Sequence, residues 1–173
     1  TTEDKKVSDT STYLAEQTIS TDSLDSRVVM MAGLTPERKE NILAGKDDNV
    51  LFYLNLVRKG CPFDDANIMQ LGGWTGRETF KAAYDKSHLK EFFSSKGLVV
   101  KENHTGHLYS SNNVCWIANP KGQPSDAEVS QILGWLQTGG KTLVMTYDSD
   151  QDTARNMLDL CSKLDLELKP LYL

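Results

Sequence analysis

The stretch that decides the fold of this chain is SDAEVSQILGWLQTGGKTLVMTYD, residues 125–148. It opens with Ser-Asp-Ala-Glu, the pattern of a capping box, in which the Ser125 hydroxyl accepts the Glu128 amide and the Glu128 carboxylate returns to the cap. Apolar residues follow at the spacing of one helix face: Val129, Ile132, Leu133 and Leu136. A glycine pair and then an apolar run come next. The order predicts a helix, a tight turn and a buried strand.

The tetrad GGKT, residues 139–142, has the letters that end a phosphate-binding P-loop. In a P-loop the glycines lead from a strand into a helix, whose amino end attracts the phosphates. Here the predicted order is reversed, so the glycines follow the carboxyl end of a helix, which repels anions. The spacing fails as well, because the position that needs the first glycine is Trp135. We therefore predict a helix-ending turn and no nucleotide site.

The rest of the chain alternates in the same way between strand and helix patterns. Strand patterns occur at 27–33, 49–57, 98–102, 114–119, 141–148 and 166–173. Those at 27–33, 49–57 and 114–119 are apolar runs without alternation, typical of strands covered on both faces. Helical spacing and caps occur at 35–45, 80–84, 87–97 and 148–161. Such alternation predicts an α/β fold: a mostly parallel sheet with helices on both faces, a Rossmann-like three-layer arrangement with right-handed crossovers. We assign residues 26–173 to one such domain.

Residues 1–25 are rich in Thr, Ser and Asp and carry few large apolar side chains. Because such a segment buries too little surface to offset its ordering entropy, we expect a polar arm that becomes ordered against a partner. Tyr13 is an aromatic anchor in it. The chain opens on Thr rather than Met and closes on KPLYL, which suggests a piece of a longer chain or of a larger assembly.

Residues 58–77, RKGCPFDDANIMQLGGWTGR, contain four glycines and a proline together with large apolar side chains. Glycine and proline predict turns, whereas the apolar residues require burial. We expect a compact packed loop, a kind of segment that is often functional. Phe63 and Trp74 in this loop, together with Tyr13, are candidate contacts for a protein partner.

Charge and composition limit the classes of partner that we expect for this chain. The net charge is −5 and no Lys/Arg cluster occurs, which disfavours nucleic acid. No apolar run approaches the roughly 20 residues that cross a bilayer, so we expect no membrane insertion. Three cysteines at irregular spacing favour free thiols, as in the cytoplasm or inside a particle.

Weaker motifs in the chain support neither a metal nor a cofactor. His104 and His107 lack the further ligands that a zinc site needs. The aspartates at 148, 150 and 152 have calcium-loop spacing but lack its glycine and final glutamate, so helix capping is the simpler role. Cys61, the one cysteine in a loop pattern, has no neighbouring base to activate it. We expect no cofactor, no metal and no catalytic residue.

Three segments resemble a known family: LKEFFSSKGLVVKE at 89–102, NNVCWIANP at 112–120, and PSDAEVSQILGWLQTGGKTLVMTYD at 124–148. Together they are similar to class I glutamine amidotransferase-like domains, and most similar to the non-catalytic branch found as modules in larger proteins. The resemblance implies the fold but not the activity. An active member would show a nucleophile elbow and a later His-x-Glu, and this chain has no histidine after His107.

The sequence therefore predicts a non-enzymatic structural or interaction domain of a large multi-subunit assembly, such as a virion or a surface layer. The alternative is a small-molecule-binding or hydrolase domain, with its site at the carboxyl ends of the strands. That site would be built from Asn55, Asn119, Tyr147 and Asp148. A third reading, a carbohydrate-binding module that uses Trp74 and Tyr109, depends on aromatic content alone.

Overall fold

The computed structural model describes residues 13–32, 67–70, 87–97, 99–102, 108, 113–118, 125–147, 151–167 and 169–171. Within these ranges the chain forms seven strands and three helices. The strands are β1 (Tyr13–Ile19), β2 (Ser26–Ala32), β3 (Asn67–Gln70), β4 (Val99–Glu102), β5 (Val114–Ala118), β6 (Thr142–Tyr147) and β7 (Lys169–Leu171). The helices are α1 (Ser87–Ser95), α2 (Asp126–Gln137) and α3 (Gln151–Lys163).

The strands form one mixed sheet in the order β4-β3-β5-β6-β2-β1-β7. The five strands from β4 to β2 are parallel, and β1 runs antiparallel to both β2 and β7. The prediction of an α/β fold is therefore confirmed.

The middle of the sheet is buried on both faces. Residues 114–117 of β5 and 142–145 of β6 are each at most 2% exposed, which alternation between core and solvent would not produce. Val28 and Val29 on β2 are equally covered although successive side chains point to opposite faces. The continuous apolar runs of the sequence predicted this burial correctly.

Register fixes the two faces of the sheet. Trp116 on β5 pairs with Val144 on β6, which pairs with Val29 on β2, so the three side chains share one face. Met30 follows Val29 and lies on the other face. Phe93 of α1 contacts Trp116 with the ring centroids 5.8 Å apart. Cys161 of α3 lies with its sulfur 3.7 Å from the Met30 sulfur.

The buried face of α2 differs by one residue from the predicted stripe, and α3 likewise leaves one leucine exposed. On α2, Trp135 is 3% exposed, whereas Leu133 is 37% exposed. On α3, Leu160 is fully buried, whereas Leu158 is 56% exposed. Four or five of the described residues on each helix are buried, and at about 100° per residue the leucine beside that set falls outside it.

The predicted polar arm at residues 1–25 is wrong from residue 13 onward. β1 pairs along its whole length with β2, from Tyr13–Ala32 to Ile19–Ser26, and Ala15 is 6% exposed. The segment has few large apolar groups, but backbone hydrogen bonds to strands on both sides order it instead. Composition does not reveal this contribution, because it comes from pairing with the next strand, β2, and with β7 near the other end of the chain.

The packed loop predicted at 58–77 also needs a correction. Residues 67–70 form β3, which pairs in parallel with β4 and with β5. The segment is too short to show a period, and glycines surround it, so only its two neighbours in the sheet define it as a strand. The predicted strand at 49–57 and the predicted helices at 35–45 and 80–84 lie outside the described residues.

Candidate functional site

The carboxyl ends of the parallel strands meet at one edge of the sheet, where α/β proteins bind their ligands. Ala32 at the end of β2 pairs with Tyr147 at the end of β6, and Ala118 at the end of β5 pairs with Thr146. Tyr147 is thus on the edge at which the sequence placed a site. The other three predicted ligand-binding residues, Asn55, Asn119 and Asp148, lie outside the described residues.

The register adds a residue to this edge that the sequence had assigned elsewhere. Tyr13, predicted as a contact for a protein partner, pairs with Ala32 from the opposite side to Tyr147. The three residues therefore form one row across β1, β2 and β6, in which an alanine separates two tyrosines. No local pattern could have predicted this row, because it depends on strand order. The other two predicted contacts, Phe63 and Trp74, lie outside the described residues.

The order in which successive strands are added to the sheet also reverses between β3 and β5. Among the described strands, β3 is followed along the chain by β4, its neighbour on one side, whereas β5 is followed by β6 on the other side. β3 and β5 are themselves adjacent. The gap between their carboxyl ends is a topological switch point, the position at which open α/β sheets form a ligand crevice.

The GGKT tetrad lies at the opposite edge of the sheet, and the prediction that it is no P-loop is confirmed. It joins the end of α2 to the start of β6. Both glycines are in the left-handed region, with φ of 86° at Gly139 and 66° at Gly140. The Gly139 amide donates to the Leu136 carbonyl at 3.2 Å. This is the arrangement by which glycine ends a helix.

The turn between β1 and β2 packs onto these glycines. The Gly140 amide donates to the Leu24 carbonyl at 2.8 Å, and the Ser23 hydroxyl donates to the Thr138 carbonyl at 3.4 Å. Amides that a P-loop would direct at a phosphate are therefore committed to the protein's own backbone.

Ser26 also contributes to the contact between the β1–β2 turn and the end of α2, and no sequence motif marked it. It is fully buried; its hydroxyl donates to the Leu136 carbonyl at 2.6 Å and accepts the Lys141 amide at 3.2 Å. Lys141 is only 6% exposed, and its ammonium lies 5.9 Å from the centre of the Trp135 ring. The lysine of the tetrad is packed within the protein rather than presented to a ligand.

The two cysteines in the described part of the chain, Cys115 and Cys161, are core residues. Burial raises the pKa of the Cys115 thiol well above its usual range. Burial also raises the pKa of Cys161, to about 11, although a backbone hydrogen bond lowers it slightly. Thiols held protonated in this way are poor nucleophiles. Cys61, His104, His107, Tyr109 and the aspartate at 150 lie outside the described residues.

Comparison with known proteins leaves the family open: no protein-family model matches this chain, and no curated protein or solved structure matches it. The resemblance to amidotransferase-like domains therefore stays a prediction. None of the helices in the described ranges combines the length and the apolar character that crossing a membrane requires.

Proposed function

We propose that this chain is a non-enzymatic α/β domain that works through protein–protein contacts in a large multi-subunit assembly, such as a virion or a surface layer. The observation that carries the proposal is the exposure of two leucines, Leu24 at 60% and Leu158 at 56%. Each would contribute about 1 kcal/mol to a complex that covered it. Together with the proposed aromatic contacts Tyr13, Phe63 and Trp74, they give the domain several apolar points for a partner.

A three-layer arrangement, with helices on both faces of the sheet, is the architecture that we propose. The contact between Phe93 of α1 and Trp116 is on one face, and the contact between Cys161 of α3 and Met30 is on the other. Burial of both faces of β5 and β6 agrees with two covering layers. The same arrangement supports the proposed kinship with the non-catalytic branch of amidotransferase-like domains.

The assembly proposal is tested by sedimentation of an extract from the natural source, with an antibody against the chain. We expect the chain to travel with particles far heavier than its own 19.3 kDa. Leu24→Ser and Leu158→Ser should each lower the particle-bound share severalfold, and the control Glu91→Ser, at an exposed position on α1, should not. Sedimentation of the natural chain as a free monomer would contradict the proposal.

A small-molecule-binding or hydrolase domain is the second candidate, and two observations at the carboxyl edge favour it. The row of Tyr13, Ala32 and Tyr147 brings two aromatic residues to that edge. The switch point between β3 and β5 is the place where such a fold would open a crevice. Asn55, Asn119 and Asp148 are the polar residues that we propose for the same site.

A thermal-shift screen of small polar compounds and ester substrates tests this alternative. We expect a binding compound to raise the melting temperature of the natural chain and to lose that effect in Tyr147→Ala and in Asp148→Ala. Glu167→Ala, at an exposed position after α3, is the matched control and should keep the effect. A compound that stabilises all three variants equally would place the site elsewhere.

A further inference from the structure

A proline occupies the middle of the last strand of the sheet. β7 pairs with β1 through Leu14–Leu171, Ala15–Pro170 and Glu16–Lys169. Within the described part of the chain, β1 is the neighbour of β7 on one side, and no described strand lies on its other side. Among the described strands, the backbone groups of β7 that face away from β1 therefore form an edge of the sheet.

The missing N–H of proline decides which groups face that edge. In an antiparallel ladder, pairs that exchange two N–H···O bonds alternate with pairs that exchange none. If Ala15–Pro170 were a bonded pair, one of its bonds would be missing and both flanking pairs would have none. In the alternative, Ala15 and Pro170 exchange no hydrogen bonds with each other, and both flanking pairs keep all of theirs. This arrangement directs the Pro170 nitrogen and carbonyl away from β1.

We infer that Pro170 closes this edge of the sheet to strand addition. An added strand would meet an acceptor at the Pro170 carbonyl, but it would find no donor at the nitrogen, where its own carbonyl would need one. Proline is confined to edge strands in sheets and protects them from pairing with another chain. Partners of this domain therefore contact its side-chain surfaces and do not extend its sheet at β7.

The partner that Pro170 excludes most directly from this edge is a second copy of the chain. Two β7 edges could meet about a two-fold axis, and every copy carries the same edge at the same concentration. The inference holds for any function of the domain and does not depend on the assembly proposed above.

Sedimentation equilibrium of purified protein over a range of concentrations tests the inference, with circular dichroism to verify folding. Pro170→Ala and Pro170→Val both restore the N–H. We expect each to self-associate at least about tenfold more tightly than the natural chain, which corresponds to about 1.4 kcal/mol. Lys169→Val is the matched control, because it adds the same side chain as Pro170→Val at a position whose N–H already faces β1.

Three results would overturn the inference. One is self-association of both Pro170 variants no tighter than that of the natural chain. Another is an equally large increase of self-association in Lys169→Val, which would assign the effect to an apolar side chain rather than to the restored N–H. The third is loss of folding in both Pro170 variants, which would show that the proline holds β7 in place. None of these results bears on whether the natural chain sediments with a particle.

Discussion

Replacement of Gly139 by alanine tests how the β1–β2 turn packs on the end of α2. Gly139 has a φ of 86°, where a residue with a Cβ loses about 1–2 kcal/mol relative to glycine. A Cβ there would also lie 2.7 Å from the Leu24 carbonyl oxygen and 2.8 Å from the Thr21 hydroxyl, and closer still to the Ser23 hydroxyl. The two hydroxyls could rotate away. The Leu24 carbonyl could not, because it accepts the Gly140 amide.

The expected loss combines the two effects. Forcing a methyl group against a fixed backbone atom costs about 1–3 kcal/mol. Added to the conformational cost, this makes Gly139→Ala destabilising by about 2–5 kcal/mol, a large part of the roughly 5–15 kcal/mol that holds a typical domain folded. Urea unfolding followed by tryptophan fluorescence measures it, since Trp116 and Trp135 are both at most 3% exposed.

Two other glycines separate the conformational cost of positive φ from the steric cost of the added Cβ. Gly97 has a φ of 80° but nothing within 4 Å of an added Cβ, so Gly97→Ala should show the conformational cost of about 1–2 kcal/mol alone. Gly134 lies inside α2 with equally open space, and Gly134→Ala should stabilise the protein by about 0.5–1 kcal/mol. If Gly139→Ala cost no more than Gly97→Ala, the close packing of the β1–β2 turn on Gly139 would be refuted.

Three further predictions concern polar groups and thiols. Ser125→Ala should lower stability by about 0.5–2 kcal/mol in urea unfolding, because it removes the hydroxyl that accepts the Glu128 amide at 3.3 Å; an unchanged midpoint would exclude the cap. Ser26→Ala should lower the free energy of unfolding by about 1–3 kcal/mol in the same assay, since it leaves the buried Leu136 carbonyl and Lys141 amide without this partner. The control is Ser94→Ala at an exposed position, and a smaller loss in Ser26→Ala than in this control would contradict the burial of Ser26. Stability should fall as pH rises from about 8 to about 10, by on the order of 1 kcal/mol for each buried thiol, because the unfolded thiols ionise while the folded ones stay protonated. The slope should flatten in Cys161→Ala, and an identical slope in that variant would show that the Cys161 thiol is not buried.

Features that depend on neighbours in the sequence were predicted correctly. The capping box at Ser125 needs only residues three apart, and both of its hydrogen bonds are present. The glycine pair could be assigned to a helix end because left-handed backbone and the direction of the helix are both local properties. Burial on both faces of β5 and β6 could be predicted because an apolar run without alternation has no solvent side.

The candidate site was predictable only in part. That parallel strands bring their carboxyl ends to one edge follows from the α/β pattern, and this placed Tyr147 correctly on β6. The row that joins Tyr13 to Tyr147 through Ala32 was not predictable, because it requires β1 and β6 to lie on either side of β2. Strand order depends on which long-range pairings bury the most surface and satisfy the most backbone groups, and no short segment carries that information.

By itself, the sequence determined where α2 starts and stops, that the apolar runs of β2 and β5 are buried, and that GGKT ends a helix, since these depend on local geometry and on the direction of one connection. Only the tertiary structure decided that residues 13–19 are a strand, that residues 67–70 are another, and that Pro170 lies in the last of the described strands on its side of the sheet. Such strands have little local preference of their own. They exist because neighbouring strands of the sheet supply the hydrogen bonds that offset the entropy of ordering them.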